Sequence, residues 1–411
     1  MASGDGPRVF LSAGEASGDQ YGAQIIAELR RRTPGMSFAG LGGAAMQAAG
    51  QQRVVRAEDV AHMGITEVLR HAPRVFREYR RLVASIRRQR PDVAVLIDFP
   101  DVNFRLAKHL KALGVPVVWF VSPQLWAWKR GRLRWVQQRV DRMLVIFPFE
   151  EAFFRSRGVE ARFVGHPLTS PPPPAHLPRA TREEYAARFG LDPGREWIAL
   201  LPGSRISEIR NNLRAMVDGG TRLGYYPHGK QPELLIPLAA TLPDERAEVL
   251  ARTVAGWLAD VAQPPAVRFV RDAQAALLYS RAAAVASGTA TVQALVAGNP
   301  FVVVYRVSRV TFAVARRLVC YPPEIPAALD AAGNLPVAMP NLIAGRRIVP
   351  ELLNERFTAD TVAAALRPLL DDGPDRATMM ADLAEARGLL GKGDPIGAVC
   401  DEVLGLLPHP A

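Results

Sequence analysis

The sequence predicts an α/β protein of two domains, each a parallel sheet flanked by helices, with a ligand cleft between them. Three observations carry this. Short β-rich apolar runs alternate with segments of helical periodicity, the signature of βαβ units. The alternation occurs twice along the 411 residues, a length too great for one ordinary core. A proline run separates the two halves.

In the first half, Val9 to Ala13 reads as a buried strand and Ala23 to Arg31 as a helix. Val93 to Ile97 is a strand, Phe104 to Leu113 a helix, and Val115 to Val121 the next strand. Met143 to Phe147 and Ala161 to Val164 continue the pattern. Thr169 to Arg179 then holds Pro171, Pro172, Pro173, Pro174 and Pro178, which cannot enter a sheet interior and favour an extended connection. The alternation restarts at Trp197 to Leu201, Leu234 to Leu238, Val267 to Val270, Ala282 to Ala286 and Phe301 to Tyr305. Residues 1–168 are therefore expected as one domain, 169–180 as linker and 181–360 as a second domain. Residues 361–411 read as C-terminal helices able to pack back on the first domain.

Hydrophobic residues make up 49% of the chain, which excludes general disorder. Lys plus Arg is 51 against 40 Asp plus Glu, a formal charge of +11 that suits an anionic partner without choosing among nucleic acid, acidic membrane and phosphorylated small molecule. Cys320 and Cys400 lack metal-ligand spacing and make no disulfide framework, consistent with a reducing cytoplasm. The uncharged stretch Ala282 to Tyr305 is long enough to span a bilayer. Its internal Ser, Gly, Thr, Asn and Pro residues read instead as strand, turn, helix, strand, so any membrane role is peripheral.

In open parallel sheets, ligands bind beyond the carboxyl ends of strands, so polar motifs there carry most weight. Between the first strand and helix lie Ser12, Ala13, Gly14, Glu15, Ala16, Ser17, Gly18 and Asp19. Small residues let a ligand approach the backbone and a helix start offers free N–H groups, although Asp19 as a simple cap explains the pattern equally well. The spacing is not that of a dinucleotide fingerprint. Gly40, Leu41, Gly42 and Gly43 read as a plain turn. After the apolar strand ending at Ile97 come Asp98, Phe99, Pro100, Asp101, Val102 and Asn103. A partly desolvated carboxylate there suits a general base, and Asp98 is the expected one; Asp101 or Asn103 otherwise caps the next helix. His166, at a strand end, reads as structural.

The second half repeats the arrangement. Leu201, Pro202, Gly203, Ser204 and Arg205, with Glu208 behind them, form strand, small-residue turn and helix. Backbone N–H groups of Gly203 and Ser204 and the Arg205 fork suit a phosphate, without the Lys-Ser/Thr ending of a Walker loop. Ser287, Gly288, Thr289, Ala290 and Thr291 make a second anion cradle, with Gln293 one turn on and able to reach a ribose; ordinary helix capping accounts for that motif as well.

Three surfaces combine positive charge with apolar or aromatic residues. Arg70, Arg74, Arg77, Arg80, Arg81, Arg87, Arg88 and Arg90 share a helix with Val75, Phe76, Tyr79, Leu82, Val83 and Ile86. Trp126, Trp128 and Trp135 interleave with Lys129, Arg130, Arg132 and Arg134, and Arg306, Arg309, Arg316 and Arg317 surround Phe312. Such patches suit an anionic membrane interface, and an ordinary packed helix shows the same pattern.

Taken in order, the motifs resemble those of lipid-A-disaccharide synthases, inverting glycosyltransferases of the GT-B fold with two Rossmann-like domains. The likeness runs from Leu11 to about Arg356. It takes in Ser12–Asp19, Met63–Leu69, Ile97–Asn103, Val121–Trp128, Phe147–Glu150, Val164–Pro167, Leu201–Arg205, Ser287–Thr291 and Pro340–Gly345. The resemblance implies transfer from UDP-diacylglucosamine to diacylglucosamine 1-phosphate with release of UDP, with no cofactor and no metal. It puts the donor nucleotide in the second domain, against Gly203, Ser204, Arg205, Glu208, Ser287, Gly288, Thr289, Ala290, Thr291, Gln293 and Asn341. The acceptor falls in the first, near Gly14, Glu15, Ser17, Gly18, Asp19, Asp101 and Asn103, with Asp98 as base. It also implies a cytoplasmic protein at the inner membrane of a Gram-negative bacterium, held there by the basic amphipathic patches. Nucleic acid is not an expected partner, and there is room for a homodimer. Relatives usually carry Glu where this chain has Gln293, and a neutral amide accepts ribose hydroxyls only through its carbonyl oxygen. Tyr321 to Met339 is longer and richer in Pro and Ala than expected. The alternatives are another UDP-sugar enzyme of this fold and a non-catalytic nucleotide-sugar or lipid-binding relative.

Overall fold

The computed structural model describes residues 6–59, 65–169, 180–224, 231–239 and 242–408, with the side chains of 65–72 and 309–310 outside that description. Met63–Leu69, Arg70, Arg309 and the prolines of 170–179 therefore lie wholly or in their side chains outside the described residues. The chain forms two compact units, one of residues 1–170 with 391–411 and the other of 171–390.

In chain order the first unit holds β1 (Arg8–Ala13), α1 (Ala16–Arg32), β2 (Ser37–Gly42), α2 (Ala44–Ala48), β3 (Gln52–Arg56), α3 (Ile65–Arg88), β4 (Val93–Ile97), α4 (Pro100–Ala112), β5 (Val117–Phe120), α5 (Leu133–Arg139), β6 (Arg142–Val145), α6 (Pro148–Arg155) and β7 (Ala161–Phe163). The second holds α7 (Arg182–Phe189), β8 (Trp197–Leu201), α8 (Ile206–Thr221), β9 (Glu233–Pro237), α9 (Asp244–Leu258), β10 (Val267–Val270), α10 (Ala273–Tyr279), β11 (Ala282–Ala286), α11 (Thr289–Ala297), β12 (Phe301–Tyr305), α12 (Arg309–Leu318), α13 (Met339–Ala344), β13 (Glu351–Leu353), α14 (Ala359–Leu366) and α15 (Pro374–Leu389). The last helix, α16 (Pro395–Gly405), returns to the first unit.

Both sheets are parallel. Their strand orders are β3-β2-β1-β4-β5-β6-β7 and β10-β9-β8-β11-β12-β13. Each is doubly wound: the order reverses between β1 and β4 in the first and between β8 and β11 in the second. Central strands covered on both faces must be apolar throughout, and every residue of β4, β8 and β11 is buried. The carboxyl ends of β1, β4, β8 and β11 mark the switch points, the place where open parallel sheets bind their ligands. Within the first unit, α16 packs on α1, with Val399, Cys400 and Val403 fully buried and Arg32 paired to Asp401 at 2.5 Å.

The run Gly40 to Gly43, expected as a turn, is mostly strand. Gly40 lies in β2 with its backbone against β1, where a Cβ would sit 2.0 Å from the Leu11 carbonyl oxygen. Glycine here serves a close approach between strands rather than a bend.

Candidate active site

At the first switch point the chain leaves β4 through two left-handed residues, Asp98 (φ 45°) and Phe99 (φ 50°), before Pro100 opens α4. Consecutive non-glycine residues in this region are strained by about 1–2 kcal/mol each, so the surroundings must hold them. Asn103 does so from the first turns of α4. Its Nδ2 donates to the carbonyls of Asp98 (2.7 Å), Ile97 (3.3 Å) and Ser12 (3.4 Å), and its Oδ1 accepts from the Ser12 hydroxyl at 2.6 Å. One buried amide thus joins the ends of β1 and β4. The Asp98 N–H donates to Phe120 of β5 at 3.0 Å. Gly14 lies under the Phe99 ring, where a Cβ would come within 2.4 Å of the ring carbons. Any side chain at 14 would push Phe99, and Asp98 with it, out of place.

The Asp98 carboxyl is pushed up to about 7, chiefly by burial and also by the charge of Glu15, with the Phe99 N–H pulling the other way. Glu15 stands exposed just before α1, and Ser17 is half-buried in that helix's first turn. Gly18 lets α1 approach Ala13 and Ile97. Asp19 turns inward and accepts from the N–H groups of Gly43 (2.7 Å), Ala45 (3.0 Å) and Met46 (3.1 Å), so it caps α2 rather than its own helix. Asp101 is exposed and paired to Arg132 at 2.7 Å.

Two neighbouring groups shape the end of the sheet. Val121, a β-branched residue at φ 63°, follows β5. The loop after it is held by Glu150, which accepts from Ser122 Oγ (2.7 Å), Trp126 Nε1 (3.1 Å) and the Phe147 N–H (3.2 Å). Burial pushes this carboxyl up to about 7 against the pull of those bonds. Trp126 is therefore core, whereas Trp128 is about half exposed beneath Lys129, whose Nζ lies 4.0 Å from the ring centroid. His166 is buried; its Nδ1 accepts from the Leu168 N–H and its ring lies against Phe147.

At the second switch point, Gly203 (φ 117°) turns the chain from β8 into α8. The Glu208 carboxylate folds back on this turn. It accepts from the N–H groups of Ser204 (3.0 Å) and Arg205 (3.2 Å) and from Arg205 Nη1 (3.1 Å). Two donors of the expected phosphate cradle, the Ser204 N–H and the Arg205 guanidinium, thus converge with the Arg205 N–H on one anion, a carboxylate of the chain itself. On the adjoining β11 loop, Gly288 (φ 137°) and Thr289 are exposed and Ala290 is half-buried at the start of α11. Thr291 is buried and its hydroxyl turns back to the Gly288 carbonyl at 2.7 Å. Ser287 donates to Val337 at 3.3 Å, and Gln293 is half-buried one turn into α11.

Asn341 is buried, with its amide committed to protein: Nδ2 donates to Glu351 Oε1 (2.8 Å) and the Val349 carbonyl, and Oδ1 accepts from Ile348 and Val349. Glu351 also accepts from the N–H groups of Val337 and Ala338 and from Arg347. The pair fixes the segment before α13 that Ser287 touches. Asn341, Asn103 and Asp19 shape backbone, whereas Asp98, Ser204, Arg205, Gly288 and Thr289 lie at the strand ends.

Of the basic patches, α3 splits lengthwise: Leu82, Val83 and Ile86 are buried, while Phe76 is 59% exposed among arginines. On α12, Val314 and Leu318 are exposed near Arg316 and Arg317. No helix among the described residues is long and apolar enough to cross a membrane.

Two doubly wound parallel sheets, each with polar turns at its switch point, define the GT-B class. Solved structures agree in fold. UDP-GlcNAc 2-epimerase from Neisseria meningitidis bound to UDP-GlcNAc matches 97% of this chain and 100% of its own at TM-score 0.62 and 11% identity. The kitacinnamycin glycotransferase matches 98% and 100% at TM-score 0.60 and 15% identity. The chain is also 51% identical to the lipid-A-disaccharide synthase of Acidobacterium capsulatum over 93% of this chain and 92% of that one. It is 48% identical to that of Koribacter versatilis, covering 94% of each, and 42% identical to that of Myxococcus xanthus, covering 98% of each. The family model of lipid-A-disaccharide synthetases matches residues 9–391. The chain belongs to that family, and its function is lipid A disaccharide formation by glycosyl transfer.

Proposed function

We propose that the chain joins UDP-diacylglucosamine to diacylglucosamine 1-phosphate by a single inverting displacement with Asp98 as general base. Asp98 takes the proton of the acceptor's primary hydroxyl, whose oxygen attacks the anomeric carbon of the donor. The bond from that carbon to the UDP oxygen breaks, and the diphosphate leaves with the bonding pair. The observation that carries this reading is Asp98 itself: a carboxyl held in a strained turn at a switch point and raised to about 7. A base titrating near neutrality is best matched to removing a hydroxyl proton as the bond forms.

The leaving diphosphate is received by the N–H groups of Ser204 and Arg205 and the Arg205 guanidinium, assisted by the start of α11 at Gly288 and Thr289. A dianion outcompetes a single carboxylate for three donors, so Glu208 swings away as UDP binds. Gln293 reaches the ribose. Asp19, Asn103 and Asn341 act as positioning residues. The exposed Phe76 and its neighbouring arginines, Trp128 with Lys129, and α12 present apolar and cationic groups together, as a surface for an acylated substrate and an anionic bilayer requires. The test is UDP release by the purified protein. Release is expected only when both acylated sugars are present; release at an equal rate from a non-acylated UDP-sugar would point to another reaction.

A further inference from the structure

We infer that a pocket of about 320 Å³ among α3, α4 and α5 is the seat of the acceptor's phosphate. It begins at Pro100 and Asp101, two and three residues past Asp98, and runs along one face of α4 through Phe104, Arg105 and Lys108. Four cations line it: Arg105, Lys108, Arg132 and Arg139.

Their surroundings differ in a way that orders the pocket. Arg132 is tied to Asp101 at 2.7 Å, which nearly neutralises the end next to Asp98 and leaves a carboxylate there for sugar hydroxyls. Arg139 is spent on the Phe104 carbonyl at 3.0 Å and on the Trp135 ring. Arg105 and Lys108 make no ion pair among the described residues and are exposed, so the net positive charge gathers one turn and more along the helix. At 1.5 Å per residue, Arg105 stands about 6 Å beyond Asp101 along the axis. That is comparable to the width of one pyranose ring, so a sugar ring can lie along α4 between Asp101 and Arg105. His109 is bound to the Tyr79 hydroxyl at 2.9 Å, and burial with nearby Arg87 and Lys108 holds it below its usual range, so it closes the pocket without adding charge. Trp135, half-buried and packed edge to face on the buried Phe104 at 5.6 Å, supplies an aromatic wall for a sugar face.

The ligand this fits is a phosphomonoester on a sugar, held at Arg105 and Lys108 with its hydroxyl end toward Asp98. The assignment rests on the acceptor proposed above and deepens it.

The test is equilibrium binding of diacylglucosamine 1-phosphate and of its dephosphorylated counterpart in detergent micelles. The proteins compared are the wild type, Arg105→Ala/Lys108→Ala and Arg105→Lys. The double variant is expected to bind the phosphorylated sugar roughly tenfold more weakly, with the dephosphorylated sugar unaffected and Arg105→Lys largely retained. Wild type that binds both sugars equally, or a double variant that binds like wild type, overturns the assignment. Loss of binding to phosphatidylglycerol vesicles with sugar binding unchanged also overturns it, by giving the cations to the bilayer. Because binding is read without turnover, tight phosphate-dependent binding with no UDP release would count against the transferase reading alone.

Discussion

Replacing Asp98 by Asn removes the base and keeps the shape, and two independent quantities follow. Losing a positioned general base lowers turnover by about 10²–10⁴, or roughly 3–5 kcal/mol of barrier. Wild-type kcat/KM should fall tenfold per pH unit below about 7, where Asp98 protonates, and level off above it; the variant's residual activity should be flat across that range. Stability moves the opposite way. Because folding raises the Asp98 pKa from 3.8 to about 7, its favourable contribution is complete below pH 3.8 and is lost as pH rises through 7. A shift of that size corresponds to at most roughly 4 kcal/mol, since solvent reaching a half-buried carboxylate screens part of it. Asp98→Asn should therefore melt higher than wild type at pH 8, with the gain shrinking toward pH 4. UDP binding should be unchanged. A variant that keeps more than a tenth of kcat, or shows the same pH profile as wild type, would refute the reasoning.

The other predictions concern the nucleotide turn and the sheet ends. Arg205→Ala should weaken UDP binding about tenfold or more by calorimetry, the worth of a charge-assisted contact; an unaltered dissociation constant would remove Arg205 from the diphosphate site. Glu208→Gln should tighten UDP a few-fold, because a neutral amide competes less for the Ser204 and Arg205 donors; weaker binding would mean Glu208 itself serves the nucleotide. Gln293→Glu should also tighten UDP several-fold by accepting two ribose hydroxyls, with no change if the ribose lies elsewhere. Glu150→Ala leaves Ser122 Oγ, Trp126 Nε1 and the Phe147 N–H without their acceptor, and should destabilise the protein by about 2–4 kcal/mol in denaturant melts.

Central strands were legible in the sequence because burial on both faces forces unbroken apolar runs. Trp197–Leu201 and Ala282–Ala286 were placed to the residue. The edge of the first sheet was not: β2 carries two glycines and β3 is Gln-Arg-Val-Val-Arg, and neither shows the apolar run of a central strand. Asp98 stood out because a lone carboxylate directly after such a strand has few structural uses. Asp19, Asn103 and Asn341 could not be told from ligand-binding residues, since a side chain that bonds distant backbone has the same composition and spacing as one that bonds a substrate. Glu150 and Glu351 were missed as site-forming groups for a related reason. A buried carboxylate that organises loops from other strands leaves no local pattern, and the Pro148 to Glu150 spacing by itself signals only a helix start. Trp126 has the sequence setting of an interfacial aromatic and is core, because its indole N–H finds Glu150 across 24 residues of chain.

The claim on which the mechanism depends most is that the donor's diphosphate takes the N–H groups now held by Glu208. A crystal structure of the protein with UDP tests this directly. Phosphate oxygens within about 2.7–3.2 Å of the Ser204 and Arg205 amides, with Glu208 displaced, is the predicted result. UDP bound elsewhere, with the Glu208 carboxylate still on those amides, would contradict it.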